Sequence, residues 1–239
     1  MRTERRTSFT ASINMLHQQP FTRVAPLIRA ALLLGAGGGF VLATILTLTV
    51  ALHLPPGTWW AALAQAHGHL QLYGWAGLFV LGVAFHFLPR LRGTPLVFPQ
   101  FLPWLLGLLV SGMLLRALSQ PLLAATGAGM YRLLLIGSGV LECGALLGAV
   151  ALLAMTVRSG PNLRTRPAFL AVVPFFALAF GGLAIASCVN LVNMLLAATT
   201  GGLVPGITDD LNVMLGLFGF LIPTALALSA QALPMYAGL

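Results

Sequence analysis

Lysine is missing from this sequence altogether, and acidic residues number four in 239. With so few carboxylates, no pair suited to hydrolysis is recognisable, nor is a Ser-His-Asp set or a phosphate-binding loop. Most soluble-enzyme chemistries are therefore poorly supplied. Cysteine is scarce too: Cys143 and Cys188 lie in different apolar segments, without CxxC or Cys/His zinc spacing. Their expected role is that of small buried hydrophobes. Charge of either sign is rare, at 7% of residues against the ~25% of a soluble domain.

What fills the chain instead is apolar: 59% of residues are hydrophobic and the mean hydropathy is +0.97. Six segments approach or exceed the ~20 apolar residues that a spanning helix needs, at about 25–53, 60–89, 100–119, 129–157, 168–198 and 210–233. Turn chemistry separates them: Pro55-Pro56-Gly57, Arg90–Pro99, Ser119-Gln120-Pro121, Arg158–Pro167 and Thr199–Asp210. The runs are continuous rather than alternating, which argues against membrane strands. The expected fold is an all-α, polytopic transmembrane helix bundle of about six spans.

All twelve basic residues are arginine. They do not form a patch with interleaved aromatics, so nucleic-acid binding is not expected despite the formal charge of +8. They mark one side of a membrane instead. Arg2, Arg5, Arg6, Arg23 and Arg29 precede or open the first span, Arg90 and Arg92 follow the second, and Arg158, Arg164 and Arg166 follow the fourth. Both termini are thus expected in the cytoplasm of a bacterium, with residues 1–24 a basic arm rather than a signal peptide. Arg116 and Arg132 are exceptions, near the outer ends of the third and fourth spans. Two GxxxG pairs, Gly35/Gly39 and Gly144/Gly148, predict close helix contacts.

The second and sixth spans end alike, in Leu88-Pro89-Arg90-Leu91-Arg92-Gly93 and Leu233-Pro234-Met235-Tyr236-Ala237-Gly238. The offset of 145 between Pro89 and Pro234 also pairs Gly74 with Gly219, His67 with Asn212, His86 with Gln231 and Gly37 with Gly182. The reading is a parallel internal repeat within the bundle of 25–239, copy one at 25–167 and a partial copy two at 168–239. A second copy that stops after two helices suggests a truncated, split or pruned form of a longer protein, with a missing C-terminal half as one partner.

Histidine concentrates where the bilayer makes polar groups costly. Three of the five stand on the second span, at His67, His69 and His86. At ~100° per residue His67 and Gln71 share one stripe, while His69 points the other way with Tyr73. One small ion held by both His67 and His69 on a regular helix is therefore not expected. His53, at the outer end of the first span, is a candidate second ligand, and His86 belongs to the opposite end. Neutral imidazole suits haem iron and copper, and a bundle core is a usual place for either. Arg116 and Arg132 are at a level to meet haem propionates. Glu142, mid-span, can orient a histidine, relay protons or pair an arginine, the last favoured on general grounds. Asp209 and Asp210 read as N-terminal stabilisers of the sixth helix. Against ligation stands a plain alternative: imidazoles that hold helices together by hydrogen bonds.

His67-Gly68-His69, Tyr73-Gly74 and Pro89–Gly93 resemble the NnrS family, polytopic membrane proteins associated with haem, copper and the bacterial response to nitric oxide. The short HGH core also looks like the ligand-bearing helix of haem-copper oxidase subunit I. The likeness runs from about Phe21 onward. It implies an inner-membrane protein that binds haem, with copper as a further cofactor, and that handles nitric oxide or another diatomic ligand. A respiratory-chain partner is implied with it. This chain has Leu70-Gln71 where the family has Glu-Met, and six spans against about twelve. The rival class is a cofactor-free transporter, or a scaffold or assembly subunit docking on an oxidase.

Overall fold

A computed structural model describes residues 21–236, with side chains described to residue 230. Six helices are long and apolar enough to cross a membrane: α1 (Ala25–Ala51), α2 (Thr58–Arg92), α3 (Pro99–Thr126), α4 (Gly129–Ser159), α5 (Pro167–Thr199) and α6 (Gly206–Ala230, continuing to Tyr236). No strand occurs among the described residues. The chain is a multi-pass, all-α membrane bundle.

Sequence neighbours pack together, and α6 returns to α2, so that α2 to α6 close a ring with α1 laid against α2. The most apolar stretch of α2 is 56% buried inside the protein and that of α1 only 22%, which makes α2 the central helix and α1 a peripheral one. The core is continuous around α2 and includes Leu70, Leu78, Leu81, Phe85 and Leu88, with Phe176 and Leu183 from α5 and Phe220 from α6. A second, smaller cluster of Leu123, Leu135, Met194, Ala197 and Val204 seals the end that carries the loops after α3 and α5.

The breaks expected at two prolines are not breaks. The third span continues through Ser119-Gln120-Pro121 to Thr126, and the second continues past Pro89 to Arg92. A proline removes one N–H, and a packed membrane bundle re-satisfies the freed groups through neighbouring helices and side chains. Here Gln120 is fully buried and bonded across to α2, so the turn before Pro121 is held from outside. Helix α2 ends at Arg92 and is capped by Gly93, whose φ of 70° suits the left-handed conformation that glycine adopts without strain.

Three helices widen into π turns, at Leu34–Gly39 in α1, Leu70–Gly77 in α2 and Leu215–Leu221 in α6. The turns of α2 and α6 begin 145 residues apart, the offset found between Pro89 and Pro234. The turn of α1 packs on that of α2, and that of α6 packs on α5. The closest backbone approach is there: a Cβ on Gly182 would run into the carbonyl oxygen of Gly219. The GxxxG pairs do less than their spacing suggests. Gly35 and Gly39 receive the side chains of Trp75 and Gln71, Gly148 receives Leu105, and Gly144 faces open space.

Candidate functional site

Each intramembrane polar group must find a partner or remain costly. Glu142 on α4 is fully buried, and its Oε2 accepts from His69 Nε2 at 2.6 Å and from Asn190 Nδ2 at 3.0 Å. Asn190, on α5, in turn accepts at Oδ1 from Arg116 Nη1 at 2.6 Å. Arg116 is 1% exposed, and its Nε donates to Gln120 Oε1 at 3.0 Å. Gln120 Nε2 donates to Gln65 Oε1 at 3.1 Å. Four helices thus share one hydrogen-bonded chain, from His69 on α2 through α4, α5 and α3 back to Gln65 on α2. Gly112 makes room for it, since a Cβ there would lie 2.6 Å from Glu142 Cγ.

The expected partner of Glu142 was an arginine. Instead the carboxylate orients a histidine, and Arg116 reaches it through Asn190. The distance is bridged because Asn190 carries both a donor and an acceptor. Such an arrangement keeps the guanidinium and the carboxylate in one network without direct contact.

The two histidines of the HGH motif face different helices. His67 is half-buried, and its Nδ1 donates to the carbonyl of Gly39 on α1 at 2.9 Å. Gln71 packs on the same glycine, so the shared stripe of His67 and Gln71 is present. His69 faces α4 and lies 4.8 Å, centroid to centroid, from Tyr73. A backbone carbonyl only accepts, so His67 carries its proton on Nδ1. His69 pairs with Glu142 through Nε2, and its Nδ1 is buried with no hydrogen-bond partner. Glu142 Oε1 and Gln71 Oε1 are likewise buried and unpartnered.

A cavity of about 210 Å³ opens between α2 and α6 beside His69. Its lining includes Gln65, Gly68, Tyr73, Asp209 and Asn212. Tyr73 donates to Asn212, at 2.8 Å to the backbone oxygen and 3.2 Å to Oδ1. Asp209 still stands in the first turn of α6, where a carboxylate favours the helix dipole. It also lines this cavity, a role the capping reading did not contain.

The other candidates are elsewhere. His53 is exposed after α1, with a φ of 52°. His86 sits near the arginine-rich end with its ring against Phe21 and Phe87. Arg132 is exposed, unlike Arg116. Cys143 is buried as expected, but Cys188 is exposed on the outer surface of α5. His17 lies outside the described residues. Among the described residues no three of His, Cys, Asp and Glu converge in a metal-binding group.

Gln65, Asn190, Asn193 and Asn212, each a polar amide inside an apolar run, carry no chemistry expected from the sequence, and Gln120 reads there as part of a turn. The spacings Arg116/Gln120 and Asn190/Asn193 put each pair on one helix face, a signal legible in advance. Comparison of the chain with protein-family models, with curated proteins and with solved structures finds no match.

Proposed function

We propose that this chain is a bacterial inner-membrane protein, both termini cytoplasmic, that binds a metal cofactor, haem or copper, at His69. We place it in the response to nitric oxide or in related respiratory metabolism. The observation that carries the reading is the state of the His69 ring. Metal-ligating histidines commonly give their other N–H to a carboxylate, which fixes the tautomer and raises ligand basicity. Glu142 is placed to do this at Nε2, 2.6 Å away, while Nδ1 is buried and without a partner, where a metal would take it as ligand.

His69 is thus the leading ligand, Glu142 its orienting group, and Asn190 with Arg116 the support of Glu142. Tyr73 beside His69 on α2, with Asp209 and Asn212 on α6, adds polar groups to the cavity lining, able to orient a small ligand. When bound, the metal supplies affinity for a diatomic molecule and a route for electrons. His67 is a separate candidate with its lone pair on Nε2, since it does not share a face with His69. A copper ion is small against a cavity of about 210 Å³. A porphyrin needs the ~300 Å³ or more of a drug-sized pocket, so haem at His69 requires α2 and α6 to part.

That small space, with a few polar groups in its lining, favours one second reading: a cofactor-free transporter or an assembly or scaffold subunit. In it the hydrogen-bonded chain serves protons, a small polar substrate or helix packing. Purified protein from haem- and copper-replete cells separates the two. The metal reading expects a Soret band that shifts on reduction and on addition of nitric oxide, or stoichiometric copper by elemental analysis. His69→Ala should abolish either signal. Colourless, copper-free protein overturns the metal reading.

A further inference from the structure

The opposite end of the bundle holds a different anomaly. Arg92, the last residue of α2, is only 3% exposed. Its Nε donates to the carbonyl of Val157 on α4 at 2.7 Å. Its guanidinium lies over the ring of Phe169 on α5, 5.6 Å from the centroid. Gly160 packs against it so closely that a Cβ there would stand 2.7 Å from Arg92 Cγ. Yet Arg92 Nη1 is buried and has no hydrogen-bond partner. The exposed Arg166 brings a second guanidinium onto the adjoining Gly93. Thr94 and Ser159, whose hydroxyls are 3.4 Å apart, flank the same junction.

A buried guanidinium is strongly disfavoured unless an anion compensates it. None of the described carboxylates does so: Glu142 is in the middle of α4, and Asp209 and Asp210 open α6 at the far end. Glu4 and the C-terminal carboxylate lie outside the described residues. Two guanidiniums with neighbouring hydroxyls, one cation held rigid by α4 and α5 and the other on an exposed arm, suit a phosphate oxygen fork.

We propose that Arg92 and Arg166 form a binding site for a phosphate group, where the end of α2 meets the α4–α5 connection. The phosphate comes from the headgroup of an anionic phospholipid or from free inorganic phosphate. Arg92 supplies the fixed donors and Arg166 closes over the anion from the surface. Lipid of this kind would act as a wedge holding three helix ends at one spacing. The inference is independent of any metal at His69.

The full-length protein, purified in detergent and delipidated, provides the test. Phosphatidylglycerol, diacylglycerol, sodium phosphate and sodium chloride are titrated separately, with native mass spectrometry and thermal unfolding as readouts. The expected result is retention of phosphatidylglycerol, and a raised unfolding temperature, over the diacylglycerol control. A matching rise with phosphate over chloride also supports the site and identifies free phosphate as a competent source. Arg166→Gln, at an exposed position, should leave the fold intact and weaken binding about tenfold, the equivalent of one charge-assisted hydrogen bond. Arg92→Gln should remove binding; if it does not fold, Arg166→Gln decides alone. Wild-type protein that responds to neither phosphate-bearing probe overturns the proposal, as does unchanged binding in Arg166→Gln.

Discussion

The two ends of this bundle treat buried cations in opposite ways. Toward the end that carries the HGH motif, Arg116 is enclosed in a chain of side chains that begins at His69 and Glu142 and ends at Gln65. At the arginine-rich end, Arg92 is also shielded from solvent, though nearer the surface, and has a backbone carbonyl and an aromatic face for company, and a nitrogen with no partner. The first region supplies its cation with side-chain partners, although His69 Nδ1 and Glu142 Oε1 stay unpartnered; the second leaves its cation open to an outside anion. Connected polar chains resist change, because removing one member strands the others. An open cluster tolerates loss of its exposed members and responds to what is added.

Substitutions can break or sharpen that contrast. The largest expected effect is Glu142→Leu, which strands His69, Asn190 and Arg116; loss of one partner from a buried charged network costs about 3–5 kcal/mol. Unfolding in mixed detergent–SDS micelles would measure it, and a loss under 1 kcal/mol would mean the chain is not coupled. Next comes a double-mutant cycle between Glu142→Ala and Arg116→Leu. These side chains touch only through Asn190, and a coupling of about 0.5–3 kcal/mol is expected if Asn190 transmits between them. Additive effects would divide the chain at that residue. Tyr73→Phe removes the hydrogen bond to Asn212 while keeping the ring, and should destabilise by about 1 kcal/mol. The smallest effect belongs to the other end: Arg164→Gln, exposed in the α4–α5 connection, should stay within about 0.5 kcal/mol. A large loss there would show that the arginine-rich end is as tightly organised as the first.

Much of the fold was legible because the bilayer imposes a simple rule. Runs of apolar residues of spanning length gave six helices, and their arginines alternated between loops. The helix ends were less legible where proline intervened. Pro121 and Pro89 read as stops because the tertiary groups that hold the backbone around them are remote in sequence. The site was half legible. The opposed directions of His67 and His69 followed from helical periodicity, and the His69–Tyr73 pairing with them. The π turns were invisible, since they depend on how α1, α2, α5 and α6 fit together. Nor could periodicity say that Glu142 would meet His69 rather than an arginine, because the choice turns on Asn190, 48 residues away.

Gln65 has a consequence beyond ending the chain. Its Nε2 donates to Val204 O at 2.8 Å, and its Oε1 accepts from Val204 N at 2.9 Å. One primary amide thereby imitates a neighbouring strand and registers the α5–α6 connection directly onto α2. The starting point of α6, and with it the position of Asp209, is therefore held by α2 as well as by α5, whose Asn193 donates to the Thr208 carbonyl at 3.1 Å. A displacement of α2 along its axis would therefore pull on the mouth of the cavity while α5 holds it back, so that the entrance yields only if both ties give.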